Sequence, residues 1–169
     1  DVCINETRIG FIKILKKMGG KIKILNKKKY FGEQVGNLLV HSSKLKGIKC
    51  PEKMIVKSVD DLPAIWMACA FSKGQSYFKG ISELQYKESN RIKTISESLK
   101  KIGIKVLATK NSLKIWGNPN VKIKKQIKIS SNLDHRVAMT CFVGGSIIGA
   151  RILINGFETV ASSFPNFLK

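Results

Sequence analysis

The chain repeats itself, and that repeat limits its fold more than any other feature. KKMGGKI (16–22) and KKIGIKV (100–106) occupy matching places 84 residues apart. Ahead of the first, Phe11, Ile14, Leu15 and Met18 fall at i, i+3, i+4 and i+7, which predicts a helix over residues 7–18. Gly19 and Gly20 end it. Residues 21–25 then alternate with the period of a half-buried strand, and a Lys/Asn-rich turn leads to an apolar strand at 37–41. Ahead of the second copy, Ile92, Ile95, Leu99 and Ile102 form another apolar face, stopped by Gly103. A strand at 105–108, a turn at 110–112 and a strand at 113–116 follow.

A second kind of element also returns. Asp60 opens DDLPAIWMACAFSKG, an apolar helix expected to end at Gly74, followed by the strand SYFKGI. Asp134 opens DHRVAMTCFVGGSIIG, ending at Gly149, followed by the strand RILING. An aspartate at each start suits an N-cap, where its carboxylate accepts unpaired amide hydrogens. Pro63 falls in a first turn, where a missing amide hydrogen costs little. The order helix, strand, strand, helix, strand therefore occurs twice. It predicts stacked α/β units with helices beside sheets, in one globular unit over residues 1–169.

The 31 Lys and Arg against 11 Asp and Glu give a formal net charge of +20, which raises nucleic acid as a partner. Lysine is spread along the whole chain, and the aromatic residues sit mostly in apolar runs rather than between cations. That pattern disfavours a stacking platform for bases, and no nucleic-acid partner is expected. Compositional drift together with a site for small anions accounts better for the charge. Hydrophobic residues make up 43% of the chain, enough for a core. No apolar run reaches the roughly 18 residues of a membrane span, so no membrane is expected. Asp1 is followed by no charged-then-apolar leader, and the chain is expected to begin inside a longer protein. Cys3, Cys50, Cys69 and Cys141 lack metal-ligand spacing, and neither His41 nor His135 has a paired ligand nearby. Free thiols in a reducing cytosol, and no metal site, are expected.

Polar residues gather at the junctions. The clusters are Asp60-Asp61-Leu62-Pro63, the stretch from Glu83 to Arg91, and Asp134-His135-Arg136. Each lies at or just before the start of a helix, where free amide hydrogens and the positive dipole end favour phosphate and carboxylate. Arg91 and Arg136 can each grip such an anion with two parallel hydrogen bonds. Simple capping by Asp60 and Asp134, and an i,i+3 pair between Glu88 and Arg91, explain the same residues. Spacing alone supports an anion-binding α/β protein.

QYKESNRIKTISESLKKIGIKV (85–106) resembles the signature of the EPSP synthase family, 3-phosphoshikimate 1-carboxyvinyltransferase. In that family K-E-[ST]-[DN]-R precedes an amphipathic helix ending in Leu/Ile-Gly. DHRVAM (134–139) resembles its D-H-R-[MIV]-A-M, VDDLP (59–63) its I-D-E-[LI]-P, and TVASSFPNF (159–167) its late T-S-[FY]-P-x-F. NETRIGF (5–11) and VGNLLVHSSKLKGI (35–48) match, in order, what precedes these in bacterial members. The resemblance implies an inside-out α/β barrel-like domain of repeated βαβαββ units, the enolpyruvyl transferase fold. It implies transfer of the carboxyvinyl group of phosphoenolpyruvate to the 5-hydroxyl of shikimate 3-phosphate, with release of phosphate and no cofactor. The product leads to chorismate and the aromatic amino acids.

By the same resemblance Asp60 would deprotonate the 5-hydroxyl, and Glu88 would exchange a proton with the methylene carbon. Lys87 and Glu83 would contact shikimate 3-phosphate, Arg91 and Arg136 would bind phosphoenolpyruvate, and Asp134 and His135 would shape the site. Gln85 stands where the family usually has Arg or Lys, and Ser162 where some members have a phosphoenolpyruvate-binding Lys. Members are much longer and form two globular halves around the active site. The N-terminal half, with its Lys/Ser/Arg segment and Gly-Asn-Ala-Gly-Thr loop, is absent here, so the chain alone is expected to be inactive. At full length the protein is expected to be a cytoplasmic monomer. The alternatives are an enzyme acting on UDP-N-acetylglucosamine, which lacks the paired K-E-[ST]-[DN]-R and D-H-R motifs, and a basic nucleic-acid-binding module.

Overall fold

A computed structural model describes residues 1–123 and 126–169. The first repeat begins with a short strand β1 (Val2–Cys3) and helix α1 (Gly10–Lys17). The helix starts three residues later than its apolar spacing predicts, because the amides of Arg8 and Ile9 both turn back to the Asn5 carbonyl. Ile12, Ile14 and Met18 are its buried residues, with Phe11 and Leu15 packed at the edge of the core.

The hairpin that follows is longer than expected. Strand β2 runs through the Lys/Asn-rich stretch (Lys21–Tyr30), and β3 returns over Glu33–His41. A bulge between Leu25 and Lys28, with Asn26 at φ 50°, absorbs the stretch taken as a turn. The real turn is Phe31-Gly32, with φ of 46° and 82°. Two successive positive φ values match the right-handed strand twist in a two-residue hairpin, and glycine supplies one of them without strain. The first sheet has the order β1-β3-β2, antiparallel throughout.

Helix α2 (Glu52–Val56) leads to α3 (Leu62–Ala70) and strand β4 (Gly74–Lys79). Asp60 is not the cap of α3: Asp61 occupies that position and makes no side-chain capping bond. The helix ends before Gly74, which opens β4 at φ 96°. Pro63 does lie in the first turn.

In the second repeat a 3-10 helix (Ser82–Tyr86) precedes α4 (Arg91–Lys101), β5 (Lys105–Ala108) and β6 (Ser112–Gly117). Strand β7 (Ile127–Ser130), α5 (His135–Ile148), β8 (Ile152–Asn155) and a 3-10 helix (Phe157–Ser162) complete it. Asp134 caps α5 and Gly149 ends it, both as expected. The second sheet has the order β4-β6-β5, and β7 pairs with β8 in parallel.

The first repeat holds a reduced version of that parallel pair. Lys46 bridges Lys73, and Lys49 bridges Tyr77, both in parallel. Between them Gly47 lies so close to the neighbouring strand that a Cβ there would stand 2.1 Å from the Gln75 carbonyl oxygen.

Helices fill the interior and the sheets wrap them. Leu62, Ile65, Trp66, Met67, Cys69 and Ala70 of α3 are all buried, so this helix is apolar on nearly every side. Leu99 and Ile95 of α4, Cys141 and Val137 of α5, and Phe78, Leu113 and Ile115 of the second sheet complete one core. Each fully buried large side chain contributes about 1.5–3 kcal/mol relative to exposure. Ser96 and Ser98, buried on α4, donate to the Ile92 and Thr94 carbonyls and so carry no unpaired hydroxyl inward. A smaller cluster of Ile4, Ile9, Ile12 and Ile22 backs the first sheet. Among the described residues no helix is long and apolar enough to cross a membrane.

Candidate active site

The N-termini of α3, α4 and α5 converge because their helices pack side by side in the core. Each brings the polar cluster that precedes it. Asn90 caps α4, its side chain accepting from the Lys93 amide at 3.0 Å. Arg91, the first residue of α4, is thereby placed between the other two helices with no exposed surface.

Arg91 is the hub. Its Nε donates to Asp134 Oδ2 at 2.8 Å, Nη1 to Asp60 Oδ1 at 3.2 Å, and Nη2 to Glu88 Oε2 at 2.5 Å. Three carboxylates on one buried cation offset the cost of taking that charge out of water. Asp134, itself fully buried, also caps α5 through the amides of Arg136 (3.0 Å) and Val137 (3.3 Å), and accepts from Ser89 Oγ at 3.1 Å. Capping and function were alternative explanations of Asp134; the structure gives it both a cap and an ion pair. The i,i+3 pair of Glu88 and Arg91 exists, as one arm of a larger network.

Lys87 stands over Asp60, its Nζ 3.6 Å from Oδ1, and pairs with Glu83 at 2.9 Å. Arg136 donates through Nη1 to the Asp60 carbonyl at 3.1 Å and lies 3.8 Å from Asp61 Oδ1. No other hydrogen bond engages the Arg136 guanidinium among the described residues, and its side chain is 37% exposed. One edge of this cation is thus open to an incoming anion. His135, the first residue of α5, makes no side-chain hydrogen bond among the described residues.

The charges set the protonation states. Burial pushes the Asp60 carboxyl up, but Arg136, Lys87 and Arg91 outweigh it and hold it below the usual value. Burial likewise opposes ionisation of Asp134, and the Arg91 hydrogen bond and charge reverse the sign. Asp61 goes the other way: burial dominates and raises it, despite Arg136 and Arg8. The Glu83 contact raises Lys87, which stays a cation.

Two clefts meet at this rim. One, of about 260 Å³, runs between α3 and α5 over Ala64, Met67, Met139 and Val143, with Asp60, Asp61 and Arg136 at its mouth. The other, of about 630 Å³, shares those three residues and is closed by Asn5, Thr7, Arg8 and Glu33. Glu83 and Glu88 line neither and are 68% and 49% exposed, so the acidic outer edge of the network faces an open surface above the buried Arg91–Asp134 pair.

Seven of the eight residues singled out by sequence meet in this network; His135 stands beside it. Gln85 is turned to the Lys110 carbonyl at 2.7 Å and the Ser82 carbonyl at 3.2 Å, so its amide holds the β5–β6 turn. Ser162 donates to the Thr159 carbonyl in the last 3-10 helix. Sequence reasoning missed the roles of Asp61, Ser89 and Arg8. The repeat carried the signal for two of them, since Arg8-Ile9 echoes Arg91-Ile92 and Asp61 holds the cap position that Asp134 holds in α5.

Helices enclosed by sheets in two repeats give the fold of the enolpyruvyl transferase class. An enolpyruvyl transferase from Streptomyces tendae, NikO, shares the fold at 13% identity with a TM-score of 0.62. Within that class the chain belongs to the EPSP synthase (3-phosphoshikimate 1-carboxyvinyltransferase) family, whose model matches residues 1–169. It is 42% identical to the 3-phosphoshikimate 1-carboxyvinyltransferase of Petrotoga mobilis over 167 residues, and 40% identical to that of Clostridium tetani over 168. Both matches cover 99% of this chain. The EPSP synthase of Acinetobacter baumannii superimposes over 98% of the chain at 37% identity, with a TM-score of 0.87. The chain spans 38% of the length of each of these relatives.

Proposed function

We propose that the protein of which this chain is the C-terminal globular half transfers the carboxyvinyl group of phosphoenolpyruvate to the 5-hydroxyl of shikimate 3-phosphate. The names of the relatives support the reaction. The carrying observation is the Arg91 hub, which fixes Asp60 and Glu88 on two nitrogens of one immobile cation. Addition followed by elimination needs two proton-transfer groups at separate ends of the reacting pair, and this geometry supplies two. The relatives at 40–42% identity favour this acceptor over UDP-N-acetylglucosamine and over a nucleic-acid partner.

Asp60, ionised, accepts the hydroxyl proton as the oxygen bonds to the central carbon of phosphoenolpyruvate. Glu88 delivers a proton to the methylene carbon, giving a tetrahedral intermediate, and takes one back as the bond from the central carbon to the phosphate oxygen breaks and inorganic phosphate leaves. Lys87 and Glu83 face shikimate 3-phosphate. Arg136 grips phosphoenolpyruvate with its open edge. Arg91 has its edge occupied by Glu88 in the free chain. A substrate oxygen that displaces Glu88 from Nη2 would free that carboxyl group to turn toward the methylene carbon. Asp134 and His135 shape the site from the start of α5. A cytoplasmic location and a monomeric whole protein belong to the same proposal, and the four free thiols fit a reducing compartment.

The test is phosphate release from the full-length protein, with both substrates and with each alone. Release that needs both, and that falls roughly 10²–10⁴-fold in Asp60→Asn, supports the reading. A folded full-length protein that releases no phosphate overturns it. Turnover by the 169-residue chain by itself would contradict the assignment of a missing half.

A further inference from the structure

The two repeats each place an arginine near a helix-cap aspartate, but only the second joins the two in an ion pair. In the second, Arg91 and the α5 cap Asp134 meet at 2.8 Å, and Asp134 also binds two amides of its helix. In the first, the corresponding residues are Arg8 and the α3 cap Asp61. Asp61 makes no capping bond, so its carboxylate is not tied to its own helix. It lies instead 3.8 Å from Arg136 Nη1, across the junction between repeats. The same Nη1 donates to the backbone carbonyl of Asp60, the neighbouring residue. Two adjacent residues of the α3 entry therefore hold one nitrogen of Arg136. The rest of its guanidinium takes no hydrogen bond among the described residues. Arg8, on the far wall of the same cleft, gives Asp61 a second positive neighbour, while Asp60 is its nearest negative one.

We propose that Asp61 is a positioning residue that aims Arg136, so that its open edge meets the anionic group of phosphoenolpyruvate. This rests on the reaction proposed above. A rigid fork gains its advantage over a point charge only when its plane is fixed, because two parallel bonds need one orientation. Asp61 touches no reacting atom. Its 3.8 Å contact and the Asp60 carbonyl both fall on Nη1, which leaves the other edge of the guanidinium for the substrate.

The experiment uses full-length protein, wild type against Asp61→Asn and Asp61→Glu. In Asp61→Asn, KM for phosphoenolpyruvate should rise about tenfold while kcat changes by less than about threefold, and KM for shikimate 3-phosphate should stay put. Asp61→Glu, with its carboxylate retained, should recover most of the loss. An unchanged KM for phosphoenolpyruvate overturns the proposal. So does a fall in kcat together with melting temperature in both variants, which marks a structural role. A second readout does not depend on turnover: modification of Arg136 by phenylglyoxal in ligand-free protein, followed by peptide mass. Losing the carboxylate neighbour should speed that modification in Asp61→Asn, and an equal rate in both proteins overturns the proposal. If wild type releases no phosphate, the proposed reaction fails, and the labelling rate still decides the role of Asp61.

Discussion

Asp134 should be the residue whose loss the fold tolerates least among those at the site. It is fully buried, holds the start of α5 and neutralises Arg91, which is buried too. Two substitutions separate these tasks. Asp134→Asn keeps a side-chain oxygen for the cap and removes the charge. Breaking one partner of a buried ion pair costs about 3–5 kcal/mol, and since Asp60 and Glu88 stay on Arg91, about 2–3 kcal/mol is expected here. Asp134→Ala also loses the cap, a further loss of about 1 kcal/mol, and leaves Ser89 Oγ without its acceptor. For a chain of this size about 2–4 °C accompanies each kcal/mol, so Asp134→Asn should melt about 4–12 °C lower.

Urea unfolding at neutral pH, followed through the buried Trp66, measures the difference directly. The pH dependence then identifies the cause. Burial raises the Asp134 carboxyl and Arg91 more than reverses it, so the folded value lies below the unfolded one. The stability it contributes is therefore complete above about pH 4 and drains away as pH falls through the folded value. The gap between wild type and Asp134→Asn should narrow over that acid range. A gap of the same size at pH 7 and in acid would show that packing, not charge, carries the effect, and variants as stable as wild type would refute the hub altogether.

Thiol accessibility and backbone approach give two further tests. Cys3 is exposed, whereas burial raises Cys50 and Cys141 to about 11 and Cys69 to about 12, so one thiol should react fast with a disulfide reagent at pH 8 and all four only after unfolding. Two or more fast thiols in folded protein would contradict that packing. Gly47→Ala places a Cβ 2.1 Å from the Gln75 carbonyl oxygen, an overlap that flexible side chains cannot relieve. It should cost about 2–4 kcal/mol in urea unfolding, whereas Gly74→Ala, with open space at its Cβ and only an unfavourable φ, should cost about 1–2 kcal/mol. Equal losses would remove the case for a close strand approach at Gly47.

The fold was legible where periodicity is set by burial. The apolar faces of α1 and α4, the strands around Leu113 and Ile115, and the Asp134–Gly149 limits of α5 all follow from which side meets the core. The β2–β3 hairpin was not, because residues 25–35 are almost all exposed and polar composition there reads equally as strand or turn. Only Phe31-Gly32, with its paired positive φ, marks the reversal, and Phe31 gives no sequence hint of it. The candidate site was legible as clusters at helix starts, yet their pairing was not. Arg91 and Asp134 are 43 residues apart, and only the packing of α4 against α5 shows that they meet. Asp60 and Asp61 differ for a similarly local reason. The cap falls on the second aspartate, which frees the first to face Arg91 and Lys87.

The distribution of charge bears on why the acidic edge of the network faces outward. The chain is formally +20, yet its excess cations are not at the site. Asp60, Asp61, Glu83, Glu88 and Asp134 set five carboxylates there against four cations, Lys87, Arg91, Arg136 and, on the cleft wall, Arg8. Many lysines project instead from the outer faces of the sheets, as along β2 and over the half-buried rings of Tyr77 and Trp116. A surface with more carboxylates than cations repels anions at close range, and distant lysines are screened within about 8–10 Å. The missing attraction has to come from groups that close over this face. Cations brought over this face from outside the chain would do so while removing water, which strengthens each remaining ion pair. On this reasoning the carboxylates suit the proposed chemistry but hinder binding of anions, and the proposed reaction needs cations from outside this chain to lower that barrier.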